Sequence, residues 1–349
     1  MKSGAPNIRH LSLEQLIAYF EQLGEKKFRA KQVYEWIWKN GATGFEAMTN
    51  LSKELRTKLT EHFSFPALQI ETTQYSADGT IKSRFKTADD HMVEGVLIPT
   101  ETRLTACVSS QIGCSLSCKF CATGYMDRKR NLDFDEIYDE VVLINQQAER
   151  VHNKKLRNIV FMGMGEPLLN YKNVLKAVEK ITSPDGLGMS PRRITVSTAG
   201  VAKMIKQLGD DKVRFNLALS LHAAIDVKRN EIMPINESNN IKALIEALNY
   251  FYGQTGNEIT LEYILFRNFN DSIKDADELI KIYRQIPVHL INVIEYNPID
   301  AAKFLKPDEE TVERFINHLS KARVNATLRR SRGKDIDAAC GQLANKDKV

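Results

Sequence analysis

Two hydrophobic periodicities divide the chain. Over residues 1–65 the apolar positions recur at helical spacing. Leu13, Leu16, Ile17 and Phe20 fall on one face of a helix running to Leu23, which Ser12 can cap and Gly24 can end. Val33, Trp36 and Ile37 form a second stripe within residues 30–39, and a third helix is expected from about Ser52 to Phe63, stopping before Pro66. From Leu68 to Pro99 the pattern shortens to three strand-like runs, Gln69–Thr72, Ile81–Phe85 and Met92–Ile98, with turns at Asp78-Gly79 and Asp89-Asp90. Beyond residue 100, strand-like runs near Thr105–Ser109, Asn158–Met162, Ile194–Ser197, Phe215–Ser220, Ile259–Leu265, Leu290–Glu295 and Ala326–Arg329 alternate with helical segments. The helices include Phe134–Arg150, Asn173–Ile181, Ile241–Phe251, Ile273–Gln285 and Glu309–Ala322.

Such alternation predicts an α/β core with a parallel sheet, either doubly wound or curved into a full or partial barrel. The expected division is a helical module over residues 1–65, a β extension over 66–99, the core over 100–334 and a C-terminal segment over 335–349. Small or polar residues follow each strand: Gln111-Ile112-Gly113-Cys114, Gly163-Met164-Gly165-Glu166-Pro167, Ser197-Thr198-Ala199-Gly200, Ser220-Leu221-His222 and Tyr296-Asn297-Pro298. In parallel α/β folds the site forms at that rim.

Composition narrows the class. With 43% hydrophobic and 27% charged residues over 349 positions, the chain reads as a globular protein with one large domain and an appendage. It has no apolar run of about 18 residues, and Met1–Pro6 leads into a polar segment, so neither a membrane span nor a signal peptide is expected. A cytoplasmic location keeps thiols reduced, so the five cysteines point to ligands or redox chemistry. The net charge of +5 is concentrated. Lys321, Arg323, Arg329, Arg330, Arg332 and Lys334 form a run with no acidic residue, Arg128-Lys129-Arg130 forms another, and Lys26, Lys27, Arg29 and Lys31 lie at the turn between the first two helices. A phosphate-bearing partner fits these clusters, as does a solvated surface.

Three cysteines fall within eight residues, Cys114-x3-Cys118-x2-Cys121. Zinc would need a fourth ligand such as Cys107, His222 or Cys340, and an electron-carrier cluster would want four cysteines. A cluster held by three cysteines keeps one iron open for a ligand, which suits a loop at a barrel rim. In this spacing, the chain resembles the radical S-adenosylmethionine (SAM) enzymes. Cys107–Cys114, Gly163–Asn170, Ser220–Ala223 and Asp335–Leu343 further resemble the RlmN/Cfr family of RNA methyltransferases, and most closely its carbon-2 branch.

The resemblance implies a partial (β/α)6 TIM-like barrel and a specific chemistry. Cys114, Cys118 and Cys121 would hold one 4Fe–4S cluster, with SAM on the open iron. Gly165, Glu166, Ser197, Ser220, Leu221, His222 and Asn297 would line the SAM pocket. Cys340 would accept a methyl group from one SAM, and a radical from a second would activate it for addition to carbon 2 of an adenosine. Cys107 would then resolve the protein–RNA adduct by attacking the Cys340 sulfur, with Glu94 as proton acceptor. The implied partners are 23S rRNA, tRNA and a reducing electron donor such as flavodoxin. The chain is expected to act as a monomer away from membranes. A carbon-8 methyltransferase of the Cfr type and a zinc-bound RNA-binding module are the competing readings.

Overall fold

Local sequence signals set the ends of the first elements. The computed structural model describes residues 4–346. Helix α1 (Leu13–Gln22) begins in a capping box: Ser12 N donates to Gln15 Oε1 at 2.8 Å, and Gln15 N donates to Ser12 Oγ at 3.2 Å. Helices α2 (Lys27–Trp38) and α3 (Lys53–His62, capped by Ser52) complete the N-terminal module. Three antiparallel strands follow, β1 (Gln69–Tyr75), β2 (Ile81–Lys86) and β3 (Met92–Pro99).

The core then runs β4 (Leu104–Cys107), a two-residue ribbon of β5 (Gln111–Ile112) with β6 (Arg130–Asn131), α4 (Phe134–His152), β7 (Asn158–Phe161), α5 (Tyr171–Thr182), β8 (Ile194–Thr198), α6 (Ala202–Asp210) and β9 (Asn216–Ser220). It continues with α7 (Asp226–Ile232), α8 (Ile241–Thr255), β10 (Ile259–Leu265), α9 (Ile273–Tyr283), β11 (Val288–Glu295), α10 (Glu309–Lys321) and β12 (Ala326–Arg329). Apart from the ribbon, all strands join one ten-stranded sheet, in the order β1-β2-β3-β4-β7-β8-β9-β10-β11-β12. Pairing is antiparallel up to β4 and parallel from β4 to β12. Six strand–helix units, closed by a seventh parallel strand, make a barrel left open between β1 and β12 among the described residues. The expected meander is part of this sheet, because β3 pairs with β4 from Val96–Cys107 to Pro99–Leu104.

The parallel strands follow a consistent two-residue alternation. Ile159, Phe161, Ile194, Val196, Leu217, Leu261, Ile291 and Val293 are buried against the helices. The residues between them face the barrel interior, and many are polar: Asn158, Thr195, Thr260, Asn292 and Thr327 line an internal cavity. A filled (β/α)-barrel places branched apolar side chains there. This barrel keeps a cavity of ≈ 510 Å³ with a partly polar lining.

One buried ion pair fastens the helical module to the core. Arg9 Nη1 and Nη2 donate to the two oxygens of Asp139 on α4 at 2.7 and 2.6 Å, while further donations reach the Asp135 and Pro66 carbonyls. Asp139 Oδ2 also accepts from Leu68 N at 3.0 Å. Trp38 stacks on Phe134 with ring centroids 5.8 Å apart and meets Tyr138 edge-on at 5.1 Å. Breaking a buried pair by deleting one partner leaves a bare charge. Arg9→Met should therefore lower unfolding free energy by about 3–5 kcal/mol, with Arg9→Met/Asp139→Leu recovering part of the loss; urea denaturation measures both.

Candidate active site

The cysteine loop sits between β5 and β6, above the carboxyl ends of the parallel strands. Cys114, Cys118 and Cys121 are free thiols lining one cavity of ≈ 140 Å³, together with Gly165, Glu166, Ser197, Ser220, His222 and Cys340. Of the residues expected there, two lie outside the cavity wall. Leu221 is buried, and its carbonyl accepts from Arg229 Nε at 3.0 Å. Asn297 Nδ2 donates to Ser331 Oγ at 2.9 Å and to the Cys340 carbonyl at 3.2 Å, so it positions Cys340 from behind.

The glycine-rich loop is shaped by close approach. Gly165 has φ +93°, and a Cβ there would lie 2.5 Å from Gln111 Cβ, so no other residue fits. Gln111 Oε1 in turn accepts from Glu166 N at 2.9 Å. Glu166 is buried. Its two oxygens accept from Leu168 N at 3.0 Å and Ala199 N at 2.8 Å, and burial pushes its carboxyl up despite those bonds. A carboxylate with lone pairs to spare suits an ammonium group.

Arg229, which sequence reasoning passed over, holds the neighbouring strand ends. Its buried guanidinium donates to the carbonyls of Leu221, Ala199 and Ser220 and to Asn236 Oδ1. Burial draws it down to about 10, so it keeps its charge at neutral pH. His222 adopts φ +53°; its Nδ1 accepts from Ile264 N at 3.2 Å, and its ring meets Phe120 edge-on at 4.7 Å. Burial, then the charge of Arg229, lowers His222 to about 3, so the imidazole is neutral.

The donor set tests the two metal readings. Tetrahedral zinc at about 2.3 Å from each sulfur needs its ligands packed closely. Among the described residues, the only His, Cys, Asp or Glu trio with ligand atoms within 4.8 Å of one another is His10, Asp133 and Asp135, away from the loop. Three separated thiols around one cavity suit a cluster of several irons better than a single ion. Burial raises all three thiols, Cys114 to about 11, and each feels another cysteine of the trio or Cys340, so ionisation calls for a bound cation.

A second cavity, of ≈ 510 Å³, occupies the barrel interior. Cys107, at the end of β4, lines only this one, while Cys121, Cys340, Arg329 and Glu262 line both. Burial pushes the Cys107 thiol up to about 12, opposed by Arg329. Glu262 Oε1 accepts from Asn292 Nδ2 at 2.8 Å and Thr260 Oγ1 at 3.0 Å; its Oε2 lies 3.7 Å from Arg329 Nη1. Sequence reasoning does not single out either residue as a site group. Arg329 lies in the basic run that fits a phosphate-bearing partner or a solvated surface, and β alternation two residues after Thr327 turns it inward; Glu262 is the one charge inside the apolar run Ile259–Leu265.

Glu94 reaches neither cavity. Its Oε2 accepts from Ala344 N at 2.9 Å and Asn345 N at 3.1 Å, and Oε1 lies 3.5 Å from Lys82 Nζ. It tethers the C-terminal segment. The turn carrying Cys340 is likewise fastened: Ala122 N donates to the Gly341 carbonyl at 2.7 Å, and Thr123 Oγ1 to the Leu343 carbonyl at 2.6 Å. Two members of the basic clusters are paired within the chain. Arg130 is held by Asp89 and Glu136, with contacts from 2.6 to 2.8 Å, and Lys334 by Glu295 at 2.7 Å.

A parallel barrel with three cysteines over its mouth and a glycine-rich strand end defines a radical SAM protein, and residues 108–281 match the Radical SAM superfamily. Residues 6–65 match the Ribosomal RNA large subunit methyltransferase N-terminal domain. A Cytophaga hutchinsonii protein named "Probable dual-specificity RNA methyltransferase RlmN" is 58% identical over 97% of this chain and 93% of its own. A Bacillus licheniformis protein of the same name is 38% identical over 100% of this chain and 96% of its own. The crystal structure of a radical SAM methyltransferase from Sphaerobacter thermophilus superimposes with TM-score 0.92 at 38% identity, covering 98% of this chain and 100% of the other. The chain belongs to the RlmN family of radical SAM methyltransferases.

The neutral His222 carries a pH signature. In the unfolded chain imidazole takes up a proton near 6.5, in the fold only near 3, so acid favours unfolding across that window. Relative to His222→Asn, which tolerates the left-handed backbone, the wild type should lose about 1.4 kcal/mol of stability per pH unit between pH 6 and 4, read from urea denaturation at each pH.

Proposed function

We propose that this chain methylates carbon 2 of an adenosine in 23S rRNA and in tRNA, through an S-methylcysteine on Cys340. The reading rests above all on one observation: Cys340 lines two cavities, one bordered by all three loop cysteines and the other by Cys107 and Cys121. A sulfur there can receive a methyl group on one side and deliver it on the other. Adenine carbon 2 is electron-poor and does not attack a sulfonium methyl itself, which is why a carrier is needed.

Cys114, Cys118 and Cys121 are the residues that would hold a 4Fe–4S cluster, which when bound supplies the electron that splits SAM to a hydrogen-abstracting radical. The chain's own groups do the rest. Glu166, buried with free lone pairs, holds the ammonium of SAM; Ser197, Ser220 and the neutral His222 complete the pocket wall. Two SAM molecules are consumed per turnover, one for the methyl group and one for the radical. Asn297 and the Gly341 carbonyl contact fix Cys340 where it lines both cavities. After the methylene carbon bonds to adenine, the radical adduct gives up one electron and the proton on carbon 2. Cys107, losing its own proton, attacks the Cys340 sulfur, and the sulfur–methylene bond breaks with its electron pair going to carbon. That carbon takes a proton to become the methyl group, which releases the RNA and leaves a disulfide for a cellular reductant to open. The high resting pKa of Cys107 keeps it protonated until then, with Arg329 as the nearby cation. Glu94 supports this chemistry by placing the Cys340 segment. A flavodoxin-like donor, a monomeric state and a cytoplasmic setting accompany the proposal, and the base must leave its stack to reach Cys340.

Reconstituted enzyme should carry about four irons per chain, whereas one zinc and no iron would remove the radical reading. Cys340→Ala should abolish methyl transfer, and Cys107→Ala should accumulate a covalent RNA–protein adduct visible on denaturing gels. Mass spectrometry of the RNA product decides regiochemistry: 2-methyladenosine is expected, and 8-methyladenosine would assign the Cfr-type activity instead.

A further inference from the structure

Glu262 is the one carboxylate among the residues lining the larger cavity, and the methyl transfer derived above gives it no task. It is 3% exposed, and its Oε1 is engaged by Asn292 Nδ2 at 2.8 Å and Thr260 Oγ1 at 3.0 Å. Its Oε2 is buried and has no hydrogen-bond partner among the described residues. A carboxylate oxygen kept in that state is costly unless a ligand brings the missing donor. Arg329 Nη1 stands 3.7 Å from it, an attraction between charges that is too long for a hydrogen bond. The same Nη1 otherwise meets only a weak acceptor, Met162 Sδ, at 3.7 Å.

Strand register orders these groups along the barrel axis. Glu262 on β10 pairs with Asn292 on β11, and Asn292 with Thr327 on β12, so the three share one level. Arg329, two residues past Thr327, pairs with Ile294 and is rooted one interior step nearer the carboxyl rim. Cys340 belongs to that rim, since Asn297, just past β11, donates to its carbonyl at 3.2 Å. Of the charged groups acting on Arg329, Cys340 comes first, ahead of Glu262 and Cys107. The pair thus presents an acceptor deeper in the barrel and a donor on the side of the two sulfurs.

We propose that Glu262 and Arg329 read the Watson–Crick edge of the target adenine, Glu262 Oε2 accepting from the 6-amino group and the Arg329 guanidinium donating to ring nitrogen N1. The inference rests on the adenosine methyltransferase reading above and names the groups that select its base and its carbon. Adenine carries a donor and an acceptor side by side on that edge, and the pair offers their complements. The Glu262–Arg329 contact holds no hydrogen bond, so parting it to admit the base breaks none. Carbon 2 is bonded to N1 and therefore turns towards Cys340 and Cys107 once N1 meets Arg329. Carbon 8 belongs to the five-membered ring and is carried away from both sulfurs. Guanine would set a carbonyl oxygen against the carboxylate and a ring N–H against the guanidinium, two clashes of like polarity.

The test is a cycle of two changes, one in the protein and one in the base. Full-length reconstituted enzyme receives RNA hairpins carrying adenosine, purine riboside (no 6-amino group) or 7-deazaadenosine at the target, and mass spectrometry of carbon-2 methylation gives kcat/KM. For wild type, purine riboside should lower kcat/KM by roughly 10- to 100-fold, as for a lost hydrogen bond to a charged group, and 7-deazaadenosine should leave it within about twofold. Glu262→Met should lose a similar factor on adenosine but nothing further on purine riboside, and Glu262→Gln, which keeps an acceptor oxygen, should recover part of the loss. Comparing ratios between enzymes cancels the analogue's own reactivity. Hairpin affinity by fluorescence anisotropy, which needs no cluster, should show the same coupling. Wild-type indifference to purine riboside, or equal losses of Glu262→Met on both substrates, would overturn the base reading; SAM binding weakened alongside would assign Glu262 to the SAM pocket. Sensitivity of wild type to 7-deazaadenosine alone would put the other edge of the base at the pair and overturn it as well. Wild type that methylates no RNA while hairpin affinity still shows the coupling would defeat the reaction and uphold the reader.

Discussion

The barrel has an open side, and the arrangement of the site depends on what crosses it. The segment after β12 is drawn over to the β1–β3 strands by carboxylates that bind backbone amides. Asp78 Oδ2 accepts from Gly333 N at 2.9 Å, Asp335 Oδ1 from Ser76 Oγ at 2.6 Å, and Glu94 Oε2 from Ala344 N and Asn345 N. Glu94 does this while buried, where a charge-assisted bond is strong and an unpaired one costly. Cys340 lies between these anchors. Its place on the two cavities is thus set by residues more than 240 positions earlier in the chain.

The same strap explains why the antiparallel strands belong to the main sheet. Pairing of β3 with β4 aligns Glu94, Lys82 and Asp78 with the open side, opposite β12. A detached β linker could not hold a fixed register to the barrel. The open, partly polar interior is the complementary condition: a barrel plugged by branched side chains would leave no second cavity, and Cys340 would line the first alone.

Much of the architecture was legible in sequence because its causes are local. The capping box at Ser12, the strand–helix alternation, the β4 to β12 runs and the polar strand ends all act within a few residues of themselves. The cysteine spacing and Gly165-Glu166 marked the site for the same reason. Other groups have partners that lie far away in sequence. Arg130 and Lys334 belong to basic clusters that fit a phosphate-bearing partner or a solvated surface, yet they meet carboxylates from other elements; Arg329 lies in a basic run, and strand alternation turns it into the barrel. Glu94, for which the resemblance implies a proton-acceptor role, accepts from backbone amides at the far end of the chain.

Sequence by itself therefore determined the element order, the parallel core and the chemical identity of the site: three clustered thiols, a glycine-rich turn and two separated cysteines. Only the tertiary structure decided which cavity each cysteine lines, which arginines are paired and which carboxylate acts as a tether. The physical reason is the range of the forces involved. Periodicity, capping and backbone sterics are settled between near neighbours in sequence, whereas burial and charge pairing depend on where distant segments meet.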